Sequence, residues 1–151
     1  MFKHEDWPGL KKLTQVRHAC NSQARRRISI LCGNGGLYLP QELRSSADGA
    51  MTGFGYPEML VEVCKKFFNG RGEDAEDLFG LYLPLLRYEQ QIGIGLAIRK
   101  EILRRRGAIA SAAVCLPGPR LDKEDVEELE HLIRRLERRL STMLGRSHVA
   151  A

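Results

Sequence analysis

The residues best suited to chemistry stand at the start of the chain, where Lys3, His4, Glu5 and Asp6 follow one another. An amine, an imidazole and two carboxylates could attack a carbonyl, transfer protons or hold a metal ion. Structural roles explain most of them equally well, because Asp6 is placed to cap a helix beginning near Trp7 and Glu5 is a surface charge. By itself, Lys3 is a solvated charge near the terminus. These residues alone therefore define no active site.

A second candidate site is the run GNGG at residues 33–36, because successive backbone amides ahead of a helix attract anions. The run lacks the spacing of a phosphate-binding P-loop, and GFG at residues 53–55 is an equally weak dinucleotide motif. A tight turn between a strand and a helix explains these glycines better. His18, His131 and His148 have no partners at metal-binding spacing. We predict no metal site and no bound cofactor.

The elements that would position these residues form a strand–helix–strand–helix–strand pattern across residues 1–54. Short apolar runs predict strands at Ile28–Cys32 and Ala50–Phe54, and the segment between them predicts a helix over Leu37–Ala47. Strands joined through helices pair in parallel by right-handed crossovers. Because both runs are apolar throughout, we expect both faces to be covered inside an α/β sheet or barrel. The first helix is predicted to follow Asp6, with Leu10, Leu13, Val16 and Cys20 on its apolar face and Lys11, Lys12 and Arg17 elsewhere.

Beyond Pro57 the periodicity changes to that of helices alone. Four helices are predicted, over residues 58–69, 73–91, 94–106 and 122–144, the second with Pro84 inside it and the last capped by Asp122. We therefore divide the chain into a strand–helix segment at 1–69, a helical subdomain at 70–144 and a disordered tail at 145–151.

The charge of the chain is mildly basic. The 24 Lys and Arg residues against 19 Asp and Glu residues give a net charge of +5. The clusters Arg25–Arg27 and Arg104–Arg106 have no interleaved aromatic residues, and cations near helix C-termini are favourable in any case. We expect no nucleic-acid partner, although a basic nucleic-acid-binding protein stays open as an alternative.

The cysteines and apolar segments bear on location. Cys20, Cys32, Cys64 and Cys115 show no CxxC spacing, which favours reduced thiols. The first residues lack the apolar segment of a signal peptide, and the longest apolar run, Ala108–Leu116, is too short to cross a bilayer. The sequence predicts a cytoplasmic protein without a membrane partner.

Four segments in order, MFKHED, ISILCGNGG, ADGAMTGF and YPEMLVEV, resemble the C-terminal half of the dihydrodipicolinate synthase and N-acetylneuraminate lyase family. The helical segments GLAIRKEILRRRG and LPGPRLDKED resemble the C-terminal helices of that family. The resemblance is specific for the family and not for one substrate. It implies a partial (β/α)8 TIM barrel, with strands equivalent to strands 6–8, followed by a helical subdomain.

The resemblance also implies a site. Family members are class I aldolases and lyases that form a Schiff base with pyruvate or another 2-oxo acid. The position of their Schiff-base lysine, on the sixth strand, matches Lys3. Gly33 and Asn34 match the turn after the seventh strand, and Met51 matches the eighth-strand position whose backbone carbonyl faces the lysine. Burial in the barrel mouth would lower the pKa of such a lysine, so that its neutral amine can attack a carbonyl.

Strands one to five, with the family's carboxylate-binding loop and proton-relaying tyrosine, have no counterpart in this chain. We therefore expect a truncated member that is inactive alone, unless a separate polypeptide supplies the missing strands. The implied partners are a 2-oxo acid such as pyruvate plus an aldehyde, and either further copies of the chain in a homo-oligomer or a complementing N-terminal half barrel. A non-catalytic interaction or oligomerisation module derived from the family stays open as an alternative, because open strand edges promote association.

Overall fold

A computed structural model describes residues 1–6, 9–21 and 26–149, with side chains described to residue 143. The chain forms two compact units, Met1–Phe79 and Gly80–Ala151. This division falls inside a helix, whereas the sequence predicts a boundary between residues 69 and 70. The elements in chain order are β1 (Phe2–His4), α1 (Leu10–Cys20), β2 (Ile30–Cys32), α2 (Leu39–Arg44), β3 (Gly49–Ala50), α3 (Pro57–Phe68), α4 (Gly72–Glu89), α5 (Gly95–Arg105) and α6 (Lys123–Val149).

The three strands form one parallel sheet in the order β1-β2-β3. Phe2 pairs with Ile30, and Leu31 pairs with Gly49, so β2 is the central strand. The predicted β-α-β-α-β pattern is therefore confirmed.

The predicted bounds of three of these elements are wrong. The second strand begins at Ile30 instead of Ile28. The third strand ends at Ala50 instead of Phe54, because β3 pairs only with β2 and no described strand lies on its other side to extend the ladder. The second helix spans Leu39–Arg44 instead of Leu37–Ala47. A 3-10 turn at Asn34–Gly36 precedes it, and Ser46, with φ 73°, ends it because a left-handed residue cannot continue a right-handed helix.

The predicted start of α1 is also wrong. Gly9 is the N-cap residue, so no side-chain hydrogen bond caps the start of the helix. Asp6, the predicted cap, forms an ion pair with Lys12 instead. Trp7 lies outside the described residues. The helix buries Arg17, which is 6% exposed, although the sequence placed it on the polar face.

The buried guanidinium of Arg17 joins three parts of the first unit. It donates hydrogen bonds to the carbonyl of Ile28 at 3.0 Å and to that of Ser46 at 2.8 and 3.1 Å, and it pairs with Asp48 Oδ2 at 2.5 Å. Asp48 also pairs with Arg27 and accepts a hydrogen bond from the Ile30 amide at 2.8 Å. Because a buried cation is tolerated only when its donors are satisfied, this network fixes α1 against the starts of β2 and β3.

In the second unit, the apolar core includes Leu85, Leu86, Ile98, Ile102 and Leu129. Asp122 caps α6 as predicted, since its Oδ1 accepts a hydrogen bond from the Asp125 amide at 2.8 Å and Asp125 Oδ2 accepts one from the Asp122 amide at 3.1 Å. The helix extends to Val149, beyond the predicted end at Leu144. Among the described residues, no helix is both long and apolar enough to cross a membrane.

Candidate active site

The two faces of the first strand carry a buried polar side chain and an exposed one. His4 is 1% exposed and lies on the face covered by helices, whereas the Lys3 side chain is 41% exposed on the opposite face. The expected burial of Lys3 is therefore not observed in this chain, because no described element covers that face of β1. The amine lies instead at the open face of the sheet, near the C-terminal end of its strand.

Glu5 is the immediate partner of Lys3. Its Oε1 lies 3.0 Å from Lys3 Nζ and accepts a weak hydrogen bond, at 3.4 Å, from the backbone amide of Asn34. The hydrogen bond from Lys3 and then the Asn34 amide lower the pKa of Glu5, so that its carboxylate stays ionised. Glu5 thus connects the predicted nucleophile to the turn after β2. The sequence indicated its exposure but not this contact.

Gly33 brings the ends of β1 and β2 together. Its amide donates a hydrogen bond to the carbonyl of His4 at 2.9 Å. A Cβ at this position would lie 2.7 Å from that carbonyl oxygen and 2.8 Å from Glu5 Oε1, and it would also collide with Glu5 Cγ. The site therefore requires glycine for close approach. Asn34 follows in a left-handed conformation, with φ 45°, and starts the 3-10 turn.

Met51 lies directly after β3, one strand further from Lys3. Its amide donates a hydrogen bond to the carbonyl of Cys32 at 2.9 Å, and its side chain is exposed. Lys3, Gly33 and Met51 thus stand at or just after the C-terminal ends of adjacent parallel strands, where active sites of α/β barrels are built. The contacts of the structure join Lys3, Gly33 and Asn34 through Glu5, while Met51 is held by the end of β2.

A buried polar cluster lies behind the sheet and was missed by sequence reasoning. Glu42 Oε1 lies 3.2 Å from His4 Nδ1, and both side chains are almost fully buried. Burial raises the pKa of the neighbouring Cys32 thiol, and the Glu42 carboxylate adds to this effect. The sequence carried no signal for Glu42, because a glutamate in a short amphipathic helix ordinarily faces water. In the described part of the chain, no three His, Cys, Asp or Glu side chains form a group that could hold a metal ion.

The basic clusters are partly neutralised by neighbouring carboxylates. Arg104 and Arg105 both pair with Glu101, at 2.7 Å, and Arg27 pairs with Asp48. Cations engaged within the protein offer less charge to a phosphate backbone, which argues against a nucleic-acid interface at these positions.

Comparison with known proteins finds relatives in sequence and in fold. No protein-family model matches the chain. The L-2-keto-3-deoxyarabonate dehydratase of Azospirillum brasilense is 32% identical over 105 residues, which are 70% of this chain and 34% of that protein. A crystal structure of dihydrodipicolinate synthase from Rhodopseudomonas palustris is 48% identical, with a TM-score of 0.85 over 88% of this chain and 44% of that one.

A family prophage protein from E. coli K12, solved in complex with pyruvate, shares the fold at 22% identity and a TM-score of 0.71. The chain spans about a third to a half of the length of these relatives. The fold and the position of the site define part of a (β/α)8 barrel with its polar groups at the C-terminal ends of the strands. Over the matched region, the chain shares its sequence and its fold with members of the dihydrodipicolinate synthase family.

Proposed function

We propose that Lys3 is the Schiff-base nucleophile of a lyase acting on a 2-oxo acid, and that this chain is the arc of the barrel that carries it. One observation carries the proposal. In a chain 48% identical to a dihydrodipicolinate synthase, the Lys3 amine stands on the open face of β1 beside a carboxylate and the turn after β2.

The pair of Lys3 and Glu5 places a nucleophile 3.0 Å from a carboxylate. Lys3 must lose a proton to solvent before it attacks the 2-oxo carbon, because Glu5, whose pKa is lowered, is a poor acceptor for the proton of an ammonium group. The carbinolamine then takes up a proton from solvent and releases water to give the protonated imine, beside which the Glu5 carboxylate stays ionised. The carbon beside the imine carbon is only two bonds from Nζ, so the same carboxylate is within reach of its proton. Removal of that proton gives an enamine, with the imine nitrogen taking up the electron pair.

The substrate class in this proposal is a 2-oxo acid such as pyruvate, with an aldehyde as second reactant. It is supported by the keto-acid substrate in the name of the Azospirillum dehydratase and by the pyruvate bound to the E. coli family member. Since this chain spans 44% of the matched synthase, turnover in this proposal requires the remaining strands of a barrel, and the chain by itself is inactive.

Borohydride trapping tests the role of Lys3. The chain is incubated with labelled pyruvate and sodium borohydride, together with the half of the Rhodopseudomonas synthase that it does not match. Mass spectrometry should find the label on the peptide that contains Lys3. The label should disappear in Lys3→Ala and persist in Lys11→Ala, which removes an exposed lysine of α1. Label that survives Lys3→Ala, or no label at all in the assembled complex, contradicts the proposal.

A further inference from the structure

A cavity of about 440 Å³ lies between the starts of α1 and α2. Leu10 and Lys11 line it from the first helix, and Tyr38 and Glu42 line it from the second and the residue before it. Its volume is that of a site for a small molecule. The cavity lies on the face of β1 that buries His4, the face opposite to the exposed Lys3 side chain.

Two buried polar atoms at this cavity have no partner. His4 Nε2 lies directly beneath Gly9, since a Cβ at that glycine would be 2.6 Å from it, and Gly9 lines the cavity. Glu42 is only 3% exposed and lines the same cavity. Within the described part of the chain, neither His4 Nε2 nor Glu42 Oε2 has a hydrogen-bond partner. Buried polar atoms nearly always have one, so an occupant of the cavity is expected to supply it.

The contact between His4 and Glu42 decides which chemistry these atoms offer. His4 Nδ1 lies 3.2 Å from Glu42 Oε1, without the alignment of a full hydrogen bond. A carboxylate at this distance favours the proton on Nδ1, which leaves the lone pair on Nε2. His4 Nε2 and Glu42 Oε2 are then both acceptors. The depth of the cavity therefore fits a positively charged group with several N–H donors, such as a primary ammonium group.

The mouth of the cavity favours the opposite charge. Lys11 lines it and is exposed, and it has no ion pair in the part of the chain that the structure describes. No side chain caps the start of α1, and the first amides of a helix have no partner inside the helix. Asp6, which also lines the cavity, is already paired with Lys12. A carboxylate group of a ligand is therefore stabilised at this end.

We propose that this cavity binds a short zwitterion, a molecule with a primary ammonium group at one end and a carboxylate group at the other. The ammonium group donates hydrogen bonds to His4 Nε2 and Glu42 Oε2, and the carboxylate group pairs with Lys11. Gly9 admits the ligand, because a side chain there would cover the imidazole of His4. This site goes beyond the proposed function and does not rest on it, since Lys3 lies on the opposite face of β1.

The test is binding of 4-aminobutyrate to the folded chain, measured by calorimetric titration and by NMR of the imidazole groups. Exposed His18 and His131 serve as internal references. A dissociation constant in the millimolar range is expected for so small a ligand, with shifts confined to the signals of His4. Butyrate lacks the ammonium group and should bind more than about tenfold more weakly. Butylamine lacks the carboxylate group and should bind about two- to fivefold more weakly, because an exposed ion pair is weak.

Two substitutions test the two ends of the ligand separately. Glu42→Gln keeps the shape of the side chain and removes its charge, so it should raise the dissociation constant of 4-aminobutyrate more than about tenfold. Lys11→Met should raise it about two- to fivefold and leave that of butylamine unchanged. Glu62→Gln is the matched control, since Glu62 is exposed on α3 and should affect neither ligand.

Circular dichroism checks that each variant is folded. If Glu42→Gln is not, Leu10→Trp replaces it, because Leu10 is 36% exposed at the cavity and a larger side chain there should fill the cavity and abolish binding.

Three results overturn the inference. The first is no change in the His4 signals with 4-aminobutyrate, which would mean that water alone satisfies the buried atoms. The second is butyrate binding as tightly as 4-aminobutyrate, since the site would then recognise only an anion. The third is binding to a folded Glu42→Gln chain within about twofold of the unsubstituted chain.

Lys3→Ala separates this inference from the proposed function. The variant should bind 4-aminobutyrate as the unsubstituted chain does, and a loss of binding would place the ligand at Lys3 instead. Binding of 4-aminobutyrate without any pyruvate adduct in the trapping experiment would refute the role of Lys3 and leave the assignment of this cavity intact.

Discussion

Replacing Gly33 by alanine tests the close approach that joins the ends of β1 and β2. The new Cβ would lie 2.7 Å from the carbonyl oxygen of His4, well inside van der Waals contact. That oxygen belongs to the backbone and accepts the Gly33 amide at 2.9 Å, so relief requires β1 to move and weakens this hydrogen bond. Overpacking of about 1–3 kcal/mol and a hydrogen bond of about 1 kcal/mol together predict a loss of about 2–4 kcal/mol in the free energy of unfolding.

The chain offers a matched control for this substitution. Gly80 lies on the exposed surface of α4, and a Cβ there would meet nothing within 4 Å. Gly80→Ala should therefore stabilise the chain by up to about 1 kcal/mol, since alanine favours a helix over glycine by that amount. Adding Glu5→Ala to Gly33→Ala should recover only part of the lost stability, because it removes the contact with Glu5 and leaves the contact with the His4 carbonyl.

Urea denaturation followed by circular dichroism measures all of these variants. The same substitution should also disturb the contact between Lys3 and Glu5, so Gly33→Ala should reduce borohydride trapping in the assembled complex. A Gly33→Ala chain within about 0.5 kcal/mol of the unsubstituted protein would show that the two strand ends are further apart than described, since ordinary surface substitutions fall in that range.

Three further predictions concern single side chains. Arg17→Met should lower the free energy of unfolding by about 2–4 kcal/mol in urea titrations, because it removes the donor to the Ile28 and Ser46 carbonyls and the buried partner of Asp48; a loss below about 0.5 kcal/mol would contradict this. Burial alone would raise the pKa of Asp48, but the hydrogen bonds from the Ile30 amide and the two arginines outweigh it and lower that pKa. The stabilisation that ionised Asp48 gives the folded chain is therefore complete above about pH 4 and is lost as the pH falls through the folded-state pKa. Asp48→Asn should reduce the loss of stability at acid pH, measured by urea denaturation across pH, and an unchanged loss would refute the assignment. A thiol reagent should modify exposed Cys115 in the folded chain and buried Cys32 only after unfolding, because burial raises the pKa of the Cys32 thiol and shields it from the reagent. Peptide mapping measures the two rates of modification, and equal rates would contradict the burial of Cys32.

The sequence alone determined the order of the elements and their parallel pairing. Apolar runs separated by helical periodicity predict strands at Ile28–Cys32 and Ala50–Phe54, which the structure shortens to Ile30–Cys32 and Gly49–Ala50, and a strand–helix–strand unit has one topology available to it. The resemblance carried by MFKHED and ISILCGNGG also identified the family, which the comparisons bear out. The sequence also predicted the cap of α6 at Asp122, because the two residues that form it are only three positions apart.

Only the tertiary structure decided the partners of the charged side chains. Arg17 lies on α1 at a position that periodicity assigns to solvent, yet its guanidinium reaches carbonyls and a carboxylate up to 31 residues away in the sequence. Glu42 is buried beside His4 for the same reason, and Glu5 meets Asn34 across 29 residues. Helical and strand periods report which face a residue occupies on its own element, but they carry no information about which residues, distant in the sequence, pack against that face. The contacts of Glu5 at the candidate site therefore emerge only once the chain is folded.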